Sequence, residues 1–211
     1  MSVSLENVPI EEKRPLIVCD IDEVVLHFVR PFEDYLAERN AHLDKSSFKL
    51  GGNIIDRITN TRLDSKDAHA LVQAFHADCV DRQPVIEGAM EALDALREAF
   101  QVVFLTNVAE DLAARRQAHL ASLGLTQPVI QNDGSKAETV RALSARADHV
   151  TVFIDDLPPH HLMVKTAAPH IHCVHYMADE TFRRLAYIPS NVGEKMDDWR
   201  GITRACMAKL D

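Results

Sequence analysis

Asp20 and Asp22 are separated by one residue and follow directly on the apolar run Leu16-Ile17-Val18-Cys19. Two carboxylates held that close repel. A divalent metal, a substrate proton, or a division of roles between charged nucleophile and protonated acid relieves the repulsion. Further along, Val102-Val103-Phe104-Leu105 ends in Thr106-Asn107, and Lys136 lies in Asp133-Gly134-Ser135-Lys136. A threonine hydroxyl, an asparagine amide and the N–H groups of a strand-to-helix turn are donors suited to phosphate oxygens. The ammonium can pair with a phosphate and with an acidic nucleophile. Finally, Val150-Thr151-Val152-Phe153-Ile154 runs into Asp155-Asp156-Leu157-Pro158, a second acidic pair of the oxygen-donor type that Mg²⁺ requires. Singly these are ordinary features, since acids end strands, Thr-Asn makes turns and Asp-Asp before proline opens loops. Their order carries the information: acid-x-acid, hydroxyl, ammonium, acid-acid.

Each group needs an element to position it. A short apolar run bounded by Pro15 and by charge reads as a buried parallel strand, so Asp20 and Asp22 emerge at its carboxyl end, where α/β sheets bind ligands. If the extended geometry continues past Cys19, alternation sends both carboxylates to one side. Helices are predicted over 87–100, over 111–123 up to Gly124, over 137–147 with Ser135 as cap, and over 161–167. Strands are predicted around Val129-Ile130 and over 171–174. This alternation implies an α/β fold with a doubly wound parallel sheet. Between Phe28 and Pro84 the pattern changes: 31–40 and 67–80 read as helices, Leu50-Gly51-Gly52-Asn53 as a turn, and no buried strand stands out.

With those runs assigned, Val18-Cys19-Asp20-Ile21-Asp22-Glu23-Val24 resembles the first motif of the haloacid dehalogenase-like superfamily of phosphohydrolases. Phe104-Leu105-Thr106 is similar to the second motif, Lys136 to the third and Phe153-Ile154-Asp155-Asp156 to the fourth. The resemblance spans nearly the whole chain outside one insertion. It implies a nucleophilic Asp20 that forms an aspartyl-phosphate, and an Asp22 that protonates the leaving group and then activates water. Thr106, Asn107 and Lys136 would bind the phosphate. Mg²⁺ would be held by the Asp20 carboxylate, the Asp22 backbone carbonyl and an acid of the closing pair, with Asp156 favoured over Asp155 for direct contact. Residues 1–29 and 83–211 would form the core, and 30–82 a small, mainly helical cap that excludes water and selects the leaving group. A passive hairpin covering core surface is the alternative.

Two departures stand out. Many members have glycine after the second acid, where this chain has Glu23, and the loop Leu157-Pro158-Pro159-His160-His161 lacks further acids. Acting as an acid, Asp22 needs a pKa raised by its neighbours. Its presence argues for phosphoryl transfer over dehalogenation.

A chain of 211 residues with 46% hydrophobic and 26% charged residues suits one α/β domain plus a small insertion. The net charge of −9 and the lack of a basic stripe disfavour nucleic acid as partner. Cys19, Cys79, Cys173 and Cys206 have no metal-type spacing, and no apolar stretch reaches the length of a membrane span, so a reduced, cytoplasmic protein is the expectation. The substrate expected is a small phosphorylated metabolite. Lys49, Arg57, Arg62 and His69 in the insertion could meet a second anionic group, although a polar helix face is ordinarily just solvated. His160-His161 reads as an exposed loop, and His170, His172 and His175 do not complete a metal set. Trp199, Ile202, Cys206 and Leu210 form a stripe that packs on the sheet or on another subunit, which leaves a homodimer open. On the same core residues a phosphomutase, a phosphonate hydrolase or a silent phospho-ligand binder remains an alternative. A phospho-receiver module fits less well, because its acidic pair ends the first strand and a lone acid the third.

Overall fold

The computed structural model describes residues 4–48 and 50–210. Six strands form the main sheet: β1 (Leu16–Cys19), β5 (Gln101–Thr106), β6 (Val129–Gln131), β7 (Thr151–Asp155), β8 (His172–His175) and β9 (Glu194–Lys195). Their order is β6-β5-β1-β7-β8-β9, and every pairing is parallel. The apolar runs therefore lie at the centre of the sheet, where both faces are covered.

Alternation along the strands divides the core in two. Ile17 and Cys19 of β1, with Val102 and Phe104 of β5 and Val152 and Ile154 of β7, pack against α3 (Ala89–Leu96) and α8 (Trp199–Met207). Leu16 and Val18, with Val103, Leu105 and Phe153, pack against α5 (Ala137–Ala147) and α6 (Pro158–Ala167). Helices on both faces make the sheet doubly wound. The helix predicted over 87–100 is shorter, because Gly88 adopts a left-handed φ of 81° and the helix starts after it.

The segment between Phe28 and Pro84 differs from its expectation in one respect. It contains α1 (Val29–Ala37) and α2 (Ser65–Cys79), but also β2 (Ala41–Leu43), β3 (Ile54–Asp56) and β4 (Thr61–Arg62), an antiparallel sheet of its own. Strands of three, three and two residues are too short for alternation to register in the sequence. This segment has its own apolar cluster, centred on Phe28, Phe32, Tyr35 and Phe75, which Met177 and Phe182 join from beyond β8.

The C-terminal stripe packs within the chain. Trp199, Ile202 and Cys206 are buried in the core and Leu210 packs against it. The Trp199 indole N–H donates to the Val24 carbonyl at 3.0 Å, so α8 props the loop that carries Asp22. No helix among the described residues is long and apolar enough to cross a membrane. Trp199→Ala is expected to cost about 3–5 kcal/mol in urea unfolding; a loss below about 1 kcal/mol would mean that the indole is not a core member.

Candidate active site

Neighbouring strands bring the acids together. Cys19 of β1 is level with Ile154 of β7, and the Asp20 N–H donates to the Ile154 carbonyl at 2.9 Å, so Asp20 and Asp155 leave the sheet side by side. Carboxylate oxygens of Asp20, Asp155 and Asp156 all lie within 4.8 Å of one another, and all three residues are buried. Lys136, buried at the start of α5, reaches between two of them. Its Nζ is 2.5 Å from Asp20 Oδ1 and 2.9 Å from Asp155 Oδ2. Ser135 sits one residue too early to cap that helix by assignment, since Lys136 is the flanking residue; the Ser135 hydroxyl accepts the Ala137 N–H at 3.3 Å.

Three acids face one ammonium, so full ionisation leaves an excess of two negative charges (3 − 1). The three do not share the burden equally. Burial would raise Asp155, but Lys136 and His160 outweigh it and hold the carboxyl well below the usual range. Its oxygens also accept the Leu157 N–H at 2.9 Å and the His160 Nδ1 at 3.0 Å. Burial pushes Asp20 up to about 6 despite the adjacent ammonium. Asp156 is raised well above its ordinary value by burial and by Asp155 and Asp20. Among the described residues nothing donates to its carboxylate. The Lys136 pKa is raised, because Asp155 and Asp20 outweigh its burial. A buried set of oxygen donors carrying surplus negative charge, one of them without a donor, fits a hard divalent cation such as Mg²⁺.

Asp22 differs from its expectation in position and in proton affinity. β1 ends at Cys19, Asp22 bridges to Leu26 across a turn over 23–25, and Asp22 is not in the acid cluster. Its Oδ1 accepts from Arg116 Nη2 at 2.8 Å and from Gln83 Nε2 at 2.9 Å. Burial alone would raise its pKa, but Arg116, with His76 and Gln83, more than offsets this and leaves it lowered. The expectation of a raised Asp22 is thereby overturned. Its cause is Arg116 on α4 (Ala113–Ser122), a fully buried guanidinium 94 residues away in sequence, which also donates to Gln83 Oε1 at 2.6 Å.

Thr106 ends β5 beside the acid cluster, buried, with its hydroxyl accepting the Val108 N–H at 3.3 Å. Asn107 is exposed and ties two loops together, donating to the Gly134 carbonyl and accepting from Asn132 Nδ2, each at 2.9 Å.

No family model matches the chain, and no curated protein does. Solved structures do. A candidate haloacid dehalogenase-like hydrolase from Burkholderia xenovorans is similar at a TM-score of 0.64 and 14% identity, covering 94% of this chain and 99% of that one. A haloacid dehalogenase-like family protein from Streptococcus pneumoniae has a TM-score of 0.60 at 10% identity, with 94% and 99% covered. One from Xanthomonas campestris has 0.59 at 17%, with 95% of both chains covered. The fold is haloacid dehalogenase-like.

Within this fold, Glu23 occupies a position with φ 63°, a left-handed conformation that glycine adopts without strain. Its buried carboxylate accepts the N–H groups of Phe28 at 2.9 Å and Val29 at 2.7 Å, at the start of α1, and that of Asp179 at 2.6 Å. Glu23 thus points away from the acid cluster and braces the inserted segment against the loop after β8. His160 and His161, expected in an exposed loop, lie in the first turn of α6 instead. His161 Nε2 lies 2.9 Å from the Asp155 carbonyl and His175 Nε2 2.8 Å from that of Asp156. Burial lowers both pKa values, His175 to about 4, so each is neutral and its N–H can pin the backbone of the acidic pair. Arg57 and His69 are exposed, Arg62 is bound to Asp44 at 2.6 Å, and Lys49 lies outside the described residues.

Two outcomes follow from these partners. Asp22→Ala leaves the Arg116 guanidinium buried without its carboxylate, and is expected to cost about 3 kcal/mol in denaturant unfolding; a cost below about 1 kcal/mol, as for an exposed pair, would contradict it. For His175, the unfolded chain takes a proton at 6.5 and the folded one only near 4. Between those values the unfolded state binds more protons at this residue, so the contribution of His175 to stability falls as pH falls, by about 1.4 kcal/mol per unit, against an opposite contribution from Asp20. His175→Gln keeps an N–H donor and is expected to flatten that slope; an unchanged slope would show that His175 titrates normally.

Proposed function

We propose that the chain is a Mg²⁺-dependent phosphohydrolase acting on a small phosphorylated metabolite through an aspartyl-phosphate on Asp20. One observation carries the reading: Lys136 sits between Asp20 and Asp155, with Asp156 alongside, at the carboxyl end of a parallel sheet. The relatives in fold support it. A structure from Deinococcus radiodurans, similar at a TM-score of 0.57 and 16% identity, is described with bound phosphate and sodium, the phosphate being the anion that the reading requires. Similar structures from Haemophilus somnus and Lactobacillus plantarum are named as candidate phosphoglycolate phosphatases.

Uncatalysed phosphate monoesters hydrolyse so slowly that roughly 20 kcal/mol or more of barrier must be removed, chiefly by positioning and charge. In the reading, ionised Asp20 attacks phosphorus and the ester oxygen leaves; water then hydrolyses the aspartyl-phosphate. Lys136 keeps Asp20 oriented and meets the negative charge of the phosphoryl oxygens. The Thr106 hydroxyl and the loop that Asn107 ties down would add neutral donors. Asp20 and Asp156 would hold Mg²⁺, while Asp155, committed to Lys136, His160 and the Leu157 N–H, would orient the lysine. When bound, the ion would offset the surplus charge of the acids and polarise the phosphoryl group.

Asp22, ionised and held by Arg116 and Gln83, suits the second half of the reaction, where a carboxylate accepts a proton from water. To act as the acid in the first half it would have to exchange Arg116 for a proton. The segment 30–82, with a sheet and an apolar cluster of its own, is assigned as the cap.

The deciding experiment is a phosphate-release assay with Mg²⁺, with chelator, and on Asp20→Asn. Turnover is expected with the metal, lost with the chelator, and lowered at least about a thousandfold in the variant. Equal turnover in both proteins would remove Asp20 as the nucleophile.

A further inference from the structure

Beside Asp156 lies a cavity of about 250 Å³, lined chiefly by Phe28, Phe48, Leu50, Met177 and Phe182. Its walls come from four places in the chain: the entry to α1, the connection between β2 and β3, the end of β7, and the loop and short helix (Glu180–Leu185) after β8. The acid cluster and the inserted segment therefore meet across this space. Phe48 and Phe182 pack edge-to-face, with centroids 6.0 Å apart and planes at 88°. Asp156 is the only charged group among the described lining residues.

That lining is unlike what a sugar, a glycerol or a carboxylate would need. Among the described lining residues only Asp156 carries a polar side chain, so a hydroxyl or carboxylate brought against the other walls would lose water without gaining a side-chain partner. Among the described residues, Lys45, 5.9 Å above the Phe182 ring, is already committed, paired with Glu33 at 2.8 Å and Asp179 at 2.7 Å. Arg57 and His69 do not line the cavity, and Arg62 is engaged by Asp44 and by the Gly52 carbonyl. Aromatic and thioether walls, by contrast, make favourable contacts with a ring. Volume agrees with this chemistry, since an apolar cavity of about 150 Å³ suffices for benzene.

We propose that the leaving group of the substrate is a single aromatic ring, carried on or next to the ester oxygen and seated among Phe28, Phe48, Leu50, Met177 and Phe182. This rests on the phosphohydrolase reading and names the substrate class of that same site. In the reaction the P–O bond to the aromatic alcohol breaks as the bond from Asp20 oxygen to phosphorus forms. Water then cleaves the aspartyl-phosphate. The sum is ester plus water giving alcohol plus phosphate, with no further reactant.

Benzyl phosphate and ethyl phosphate separate pocket from chemistry, because both release a primary alcohol of similar basicity. With the full chain and Mg²⁺, kcat/KM for benzyl phosphate is expected to exceed that for ethyl phosphate, and for 2-phosphoglycolate, by about tenfold or more. Leu50→Asp, at a half-buried position, is expected to bring the benzyl-to-ethyl ratio close to one. If ethyl phosphate or 2-phosphoglycolate is turned over as well as benzyl phosphate, the aromatic assignment is overturned while the phosphohydrolase reading stands. A ratio unchanged by Leu50→Asp would also overturn it. If no ester is hydrolysed with Mg²⁺, the underlying reading fails, and the inference with it.

Discussion

Three carboxylates buried around one ammonium are the constraint on which the site depends. Buried charge is tolerated only where it is paired, and Lys136 can pair with two of the three acids. Asp155 takes the larger share through Lys136, His160 and a backbone N–H, and so stays ionised. Asp20 and Asp156 are left with raised proton affinity, so a cation binding there competes with protons. The arrangement is costly as a way to stabilise a fold, because well-packed apolar residues would do better. It suits a centre whose charge is completed by a metal and an anionic substrate.

The surroundings keep that cluster rigid. Neutral His161 and His175 stand against the carbonyls of Asp155 and Asp156, so the strand end that carries the acids is fixed from below. Trp199 fixes the Val24 carbonyl on the other side. Asp22 is drawn out of the cluster by Arg116 and Gln83, which lowers the like-charge crowding around Asp20. Glu23 then joins this loop to the inserted segment through the N–H groups at the start of α1, and to Asp179 beyond β8. One short stretch, 20–23, thus links the sheet, the inserted segment and the edge of the apolar cavity.

Much of this was legible in the chain. The apolar runs before Asp20, Thr106 and Asp155 became β1, β5 and β7, because a fully buried parallel strand needs little more than a short β-branched or aliphatic run with charge at its end. The helix over 137–147 was equally plain. The short strands β2, β3 and β4 were not, since two or three residues carry no period. Nor was Arg116, whose helix reads as amphipathic and whose guanidinium would be taken for a solvated one. The dipeptide His160-His161 gave no sign that one imidazole meets a carboxylate and the other a carbonyl.

By itself the sequence determined the kinds of group available and the strand ends that present them, because hydrophobic runs and their charged termini are local properties. Only the tertiary structure decided which groups meet. Strand register set Asp20 beside Asp155, and the packing of α5 brought Lys136 between them. A buried arginine from a distant helix removed Asp22 from the cluster and lowered its pKa. Proton affinity follows burial and neighbours at a few ångströms, and neither is written in the spacing of residues along the chain.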